Sequence, residues 1–242
     1  MKLIGFTRSV ELDNLKSLDE ANELTQEQLI DGQRIFMGEL EDKWFINALS
    51  MVAVEPQTFK MVNCLDIGTF LEFQKYGLYI FKFKKQGQSV FVIIDDQLPC
   101  IKDANGAPIP FFARCQNRNL FWVSLIEKAY AKLHQRYWAL SGGSTAEALH
   151  DLTGMAIEQC FMDSGDQMTN PKNLFHCLKV LTSDGCLVGA RVDYEMFSAM
   201  KDSTKKKFYS EAEGLGIHRR YMYSILDVRE IMAQDEGGAW SK

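Results

Sequence analysis

The side chains best able to do chemistry in this chain are its cysteines, its histidines and a lysine at the head of an apolar helix. Six cysteines stand at positions 64, 100, 115, 160, 177 and 186, and no two of them form a Cys-x-x-Cys pair. Zinc requires clustered ligands, so this spacing argues against a structural metal site. Apolar neighbours surround most of them, as in Phe-His-Cys-Leu at Cys177 and Gly-Cys-Leu-Val at Cys186, a context that reads as reduced core residues. His134 and His176 fall in helical stretches beside apolar residues and read as core-edge histidines. Lys43 would need a depressed pKa and a partner base to act as a nucleophile, and no such base is evident. An ion pair with Asp42 or Glu41 is the expected arrangement instead.

The elements that position these residues follow from hydrophobic period. Residues 44–54 read as a buried helix stopped by Pro56, with Trp44, Ala48 and Met51 on one side and Phe45, Leu49 and Val52 on the next. Residues 78–83 and 90–94 read as strands joined by a Lys-Lys-Gln-Gly turn, the second ended by Asp95, Asp96 and Pro99. Residues 120–140 predict one long helix, since Trp122, Ile126, Ala129, Leu133 and Tyr137 recur at three- and four-residue steps, with Glu127, Lys128, Lys132 and Arg136 on the wet side. Ser141-Gly142-Gly143 stops it. The polar, turn-rich segment 163–171 marks a boundary between subdomains. A helix over 174–181, a turn at Asp184-Gly185 and strands over 187–192 and 221–228 follow.

Composition narrows the function classes. The 242 residues are 46% apolar and 24% charged with net charge −5, an ordinary globular balance that disfavours nucleic acid as the main partner. No apolar run approaches a membrane span, and the N-terminal apolar stretch is too short for a secretory signal. Position 2 is lysine rather than the glycine that myristoylation needs, and no C-terminal CaaX invites prenylation. The chain is expected to be cytoplasmic. Between Glu11 and Asp42, ten acids face only Lys16 and Arg34, a net of −8. Such a run is a solvated face or a docking surface for a basic partner. Lys201 and residues 205–207 form a small basic cluster.

Several segments resemble the calpain family of papain-like cysteine proteases. Gly38-Glu39-Leu40-Glu41-Asp42-Lys43-Trp44-Phe45 is similar to the family's Gly-x-Leu-Gly-Asp-Cys-Trp-Phe/Leu start of the nucleophile helix. Residues 92–99 (VIIDDQLP) resemble its Val-Val-Val-Asp-Asp-x-Leu-Pro strand and turn, and residues 121–132 (FWVSLIEKAYAK) its long helix. Residues 139–145 (ALSGGST) and 151–154 (DLTG) follow in family order, and Tyr223-Ser224 before Asp227-Val228-Arg229 resembles the segment that carries the family's histidine. The resemblance covers residues 33–229 and implies an α+β papain-like calpain protease core. The expected division is an acidic N-terminal segment 1–32, a helical first subdomain 33–162 and a truncated β-rich second subdomain 163–242.

Papain-like cleavage needs a thiolate, an imidazole to pair with it, a side chain orienting that imidazole, and donors for the oxyanion. By the resemblance, Lys43 stands where the cysteine should be, Tyr221 where the histidine should be, and Met37 where the oxyanion glutamine should be. A protonated lysine has no lone pair, a phenol near pH 10 is no acid–base group at neutral pH, and a thioether has no hydrogen to donate. The orienting asparagine's Asn-Pro-Trp-Gly segment is absent, and Gly238-Ala239-Trp240-Ser241 resembles what normally follows it. His218, three residues before Tyr221, faces the wrong side of a strand to substitute. His150-Asp151 replaces a Glu-Asp pair of the family's first calcium region, which weakens the case for calcium.

The expectation is therefore a pseudoprotease with no catalytic residue, cofactor or metal. It would act as a structural or interaction module with protein partners, cytoskeletal, flagellar or axonemal. The acidic N-terminal stretch fits the acidic outer face of a microtubule poorly, so a lumenal or accessory-protein contact is the expected mode of any microtubule association. The alternatives are a peptide-binding regulator using the dead cleft and a residual calcium-dependent cysteine-type endopeptidase.

Overall fold

The computed structural model describes residues 5–8, 35–54, 73, 76–116, 118, 120–162, 170–191, 207, 210–211, 214–217, 222–231, 233–234 and 240–241. The chain divides into two units, residues 1–158 and 159–242. In the first, strands β1 (Gly5–Arg8), β2 (Ile35–Phe36), β3 (Leu78–Lys85), β4 (Gln88–Asp95), β5 (Gln97–Lys102), β6 (Pro108–Pro110) and β7 (Arg114–Cys115) accompany helices α1 (Lys43–Val54), α2 (Trp122–Leu133) and α3 (Thr145–Thr153). This unit is thus mixed rather than helical, because the period-two segments beside its helices pair as sheet. β1 falls within the segment 1–32 set apart above, and it pairs antiparallel with β5, Gly5 opposite Cys100.

Residues 78–95 make a long hairpin in register from Leu78↔Asp95 to Lys85↔Gln88. Its two turn residues, Gln86 and Gly87, both have positive φ (50° and 77°), the geometry that matches the right-handed twist of paired strands. The alternation sends Phe81, Phe83, Val92 and Ile94 into the core and leaves Phe91 and Ile93 exposed. The outer edge of β4 is closed by α2: Lys132 Nζ donates to the Ile93 carbonyl (2.7 Å), and Lys128 Nζ to those of Asp95 (3.0 Å) and Gln97 (2.6 Å). Lysines in that place deny the edge to a second chain. β4 ends at Asp95 as expected, and Pro99 lies within the next strand, β5, where its carbonyl accepts from the Phe111 N–H (2.8 Å).

The long helix expected over 120–140 is broken. α2 ends at Leu133, Gln135 turns left-handed (φ 74°), and Tyr137–Leu140 forms a short 3-10 helix. The break brings the Tyr137 ring onto Phe112, with centroids 4.1 Å apart. That stacking answers a tertiary demand which the helical period of the sequence does not contain. Near the centre of the unit, Tyr130 stacks on Phe45 (4.2 Å, 8°) and packs edge-on to Trp44 (5.9 Å) and obliquely on Phe83 (5.4 Å). These rings tie α1, α2 and β3 together.

The second unit holds α4 (Pro171–Ser183) and strands β8 (Val188–Arg191), β9 (Met222–Ile225), β10 (Ala233–Gln234) and β11 (Trp240–Ser241). Asn170 caps α4 by accepting the Lys172 N–H (3.1 Å), with Pro171 in the first turn, where its missing N–H goes unused. β8 pairs antiparallel with β9, and β10 with β11. Strand β9 is shorter than the segment 221–228 expected, since pairing with β8 stops at Ile225. Cys186 is exposed and Cys177 half-buried, not core residues, because Cys186 lies in the bend between α4 and β8 and no residue of α4 is fully buried. For the same reason His176 is exposed rather than at a core edge.

Candidate functional site at the head of helix α1

Residues 37–43 are held from both ends. Gly38 passes so close to residue 112 that a Cβ there would lie 2.3 Å from the Phe112 backbone, so only glycine fits. Glu41 adopts φ 55°, a left-handed conformation that costs a non-glycine residue roughly 1 kcal/mol. The resemblance puts glycine at that position. Asp42 then starts the helix through its carbonyl, which accepts from the Phe45 and Ile46 N–H groups (2.9 and 3.1 Å). Lys43 is the first helical residue and is half-buried, with no acid in the first turn. An ammonium in that place opposes the helix dipole.

Trp44 fixes the opposite wall. Its indole N–H donates to the Leu140 carbonyl (2.9 Å), and Gly143 lies against the ring, where an added Cβ would come within 2.4 Å. The Ser-Gly-Gly-Ser turn is therefore shaped to the tryptophan that follows Lys43. On the inner side, Glu127 of α2 accepts the Ala113 N–H on Oε2 (3.0 Å), and Ser124 Oγ donates to the Ala113 carbonyl (2.7 Å). The Asp42 carboxyl points inward against Glu127 rather than capping the helix, and burial pushes its pKa up to about 6. Burial, reinforced by the Asp42 charge, holds Glu127 well above the usual carboxylate range.

A second polar cluster gathers around the buried Asp151 carboxylate. Tyr130 Oη donates to Asp151 Oδ2 (2.7 Å), and Lys85 Nζ lies 2.6 Å from the same oxygen and 3.1 Å from Glu147 Oε1. Burial and then the Asp151 hydrogen bond drive the Tyr130 phenol upward. His134 stacks obliquely on Tyr130 (4.6 Å), and burial, with the Lys85 charge behind it, lowers its pKa. His150 faces the Met155 carbonyl across 2.9 Å through Nδ1. The Asp151 carboxylate, next to the position where the family's calcium region carries glutamate, is thus occupied by an ammonium and a phenol. Among the described residues, no group of three or more His, Cys, Asp or Glu side chains is arranged to hold a metal.

Of the site residues expected from the sequence, Lys43 and Met37 lie in the first unit, Met37 half-buried just past β2. Tyr221 and His218 lie outside the described residues, as does Cys64. Among the described cysteines, Cys100 and Cys115 are buried, and burial pushes the Cys115 thiol up to about 12, so it is inert as a nucleophile. The Asp42–Glu127 pair is not foreseen in the sequence. Glu127, expected on the wet side of its helix, is instead fully buried, because the chain ahead of α1 packs over that face.

The comparisons with known proteins agree with this architecture. A model of the calpain family of cysteine proteases matches residues 8–238. The chain belongs to the calpain family. It is 32% identical over 204 residues to the calpain-type cysteine protease ADL1 of Oryza sativa subsp. japonica, covering 84% of this chain and 8% of that protein. The calpain-type cysteine protease DEK1 of Zea mays matches to the same extent. Calpain-8 of Rattus norvegicus is 31% identical over 199 residues, 81% of this chain and 25% of the relative. The chain spans a quarter or less of the length of these relatives.

Proposed function

We propose that this calpain-type core is catalytically inactive and serves as a structural or interaction module of the cytoskeleton or flagellum. The observation that carries the first half is Lys43. The first residue of α1, where a papain-like enzyme aims its thiol along the helix dipole, is an amine-bearing side chain. Met37, at the place of the oxyanion donor, offers no hydrogen. Loss of either group alone typically lowers turnover by orders of magnitude. The nearest alternative thiol in sequence among the described residues, Cys100, is fully buried. What the module presents to partners is surface, including the apolar outer face of the β3–β4 hairpin at Phe91 and Ile93.

Incubation of the purified chain with casein and calcium tests inactivity, beside a Lys43→Ala control. No cleavage by either protein is expected; cleavage that depends on Lys43 would overturn the reading. Placement is tested by extracting source cells with mild detergent and then high salt, following the protein by mass spectrometry. Retention through both steps is expected. Release as a soluble monomer in the first step rules out a built-in structural component and favours a regulator that binds peptides.

A further inference from the structure

Asp42 and Glu127 come from distant parts of the chain, the residue ahead of α1 and the middle of α2, and neither exposes any measurable surface (both 0%). Their carboxyls interact directly. Glu127 Oε2 has the Ala113 N–H, whereas Glu127 Oε1 and both Asp42 oxygens find no ordinary donor among the described residues. Two carboxylates are acceptors only, and a hydrogen bond between carboxyls exists only when one of them carries the O–H. Charged together in so dry a place, they would repel with nothing to screen them.

The cations of β7, α2 and β3 near the pair are engaged elsewhere. From β7, the Arg114 guanidinium lies over the Phe36 ring (5.7 Å) and the Cys115 thiol is neutral. From the 3-10 helix, Tyr137 faces Glu127 and is kept neutral by burial and by that charge. On α2, Lys128 is engaged by Asp95 of β4, and Lys85 of β3 by Asp151. Neither Asp42 oxygen accepts a hydrogen bond, from the Lys43 ammonium next in the chain or from any other described donor.

We propose that Asp42 and Glu127 hold one proton between them, and that this proton locks the segment 38–43 onto helix α2 until rising pH removes it. Glu127 is fixed in mid-helix, whereas Asp42 is carried on a loop already strained at Glu41, so the loop is the part that yields. The sign follows from linkage. Both carboxyls are raised in the fold, so the folded chain binds more protons than the unfolded one from about pH 4 upward. As pH passes about 6 the second proton leaves Asp42, and the lock weakens until Glu127, held well above the usual carboxylate range, gives up the last one. This inference is independent of whether the chain cuts peptides.

The test is hydrogen–deuterium exchange of residues 38–46 in the full chain from pH 5 to 9, wild type against Glu127→Gln and Asp42→Asn. In these variants a permanent amide N–H replaces the shared proton. In the wild type, opening of this segment is expected to increase by up to about tenfold per pH unit as pH rises toward the pair's titration and to level off above it, beyond intrinsic exchange. The variants are expected to show no such excess. Equal pH slopes in wild type and both variants would overturn the proposal. Should the variants fail to fold, infrared spectra of the wild type decide: a protonated-carboxyl carbonyl band at pH 6 that fades by pH 9 supports the lock, and its absence at pH 6 refutes it.

Discussion

Tyr130→Phe isolates one bond in the packed heart of the first unit. The ring and its stacking on Phe45 and Trp44 remain, and only the hydroxyl that donates to Asp151 Oδ2 at 2.7 Å is removed. Asp151 is almost wholly buried (3% exposed), and a hydrogen bond to a charged partner in such a place contributes about 1.5–3 kcal/mol. The Lys85 ammonium stays 2.6 Å from the same oxygen and limits the loss, so a cost of about 2 kcal/mol is expected. For a chain of this size that lowers Tm by roughly 4–8 °C. Urea unfolding followed by tryptophan fluorescence measures it, with Lys85→Met and the double variant closing a thermodynamic cycle. Coupling of about 0.5 kcal/mol or more between the two sites is expected. A Tyr130→Phe variant within about 0.5 kcal/mol of wild type would refute the claim that this cluster bears stability.

Other outcomes follow from the same geometry. Glu41→Gly relieves the left-handed strain, largely offset by the greater entropy of the unfolded glycine, and raises stability by up to about 0.5 kcal/mol in chemical denaturation. Gly143→Ala drives a methyl into the Trp44 ring and breaks the indole bond to Leu140, so it costs about 1–3 kcal/mol and shifts the tryptophan emission. Phe45→Ala empties the stack on Tyr130 and costs about 3–5 kcal/mol, read from the same urea transition. His134 has its pKa lowered in the fold, so its contribution is present above about pH 6.5 and is lost as pH falls below it. His134→Gln should flatten Tm against pH in that acid window alone.

The division of labour between sequence and tertiary structure is clearest at α2. The recurrence of Trp122, Ile126, Ala129 and Leu133 is enough to predict a helix, because burial of one face is a local, periodic property. That the helix stops at Leu133 is not legible, because the reason is Phe112, a ring brought in by a different stretch of chain. The β3–β4 hairpin is legible for a similar reason: alternation and a Gln-Gly turn are both local signals. The lysines that close its edge read only as the wet side of a helix, and their true partners are carbonyls across space.

By itself, the sequence determined the family, through ordered segments that resemble it, and the residue types at positions 37, 43 and 221, since a side chain's chemistry needs no fold to be known. Only the tertiary structure decided which acids meet. Asp42 reads as an ion-pair partner for Lys43 and Glu127 as part of the wet side of a helix, and the fold turns them into a buried carboxyl pair. It likewise joined Lys85, Tyr130 and Asp151 from three separate elements. Burial and the loss of screening water set the protonation and strength of such groups, and both depend on contacts between residues far apart in the chain.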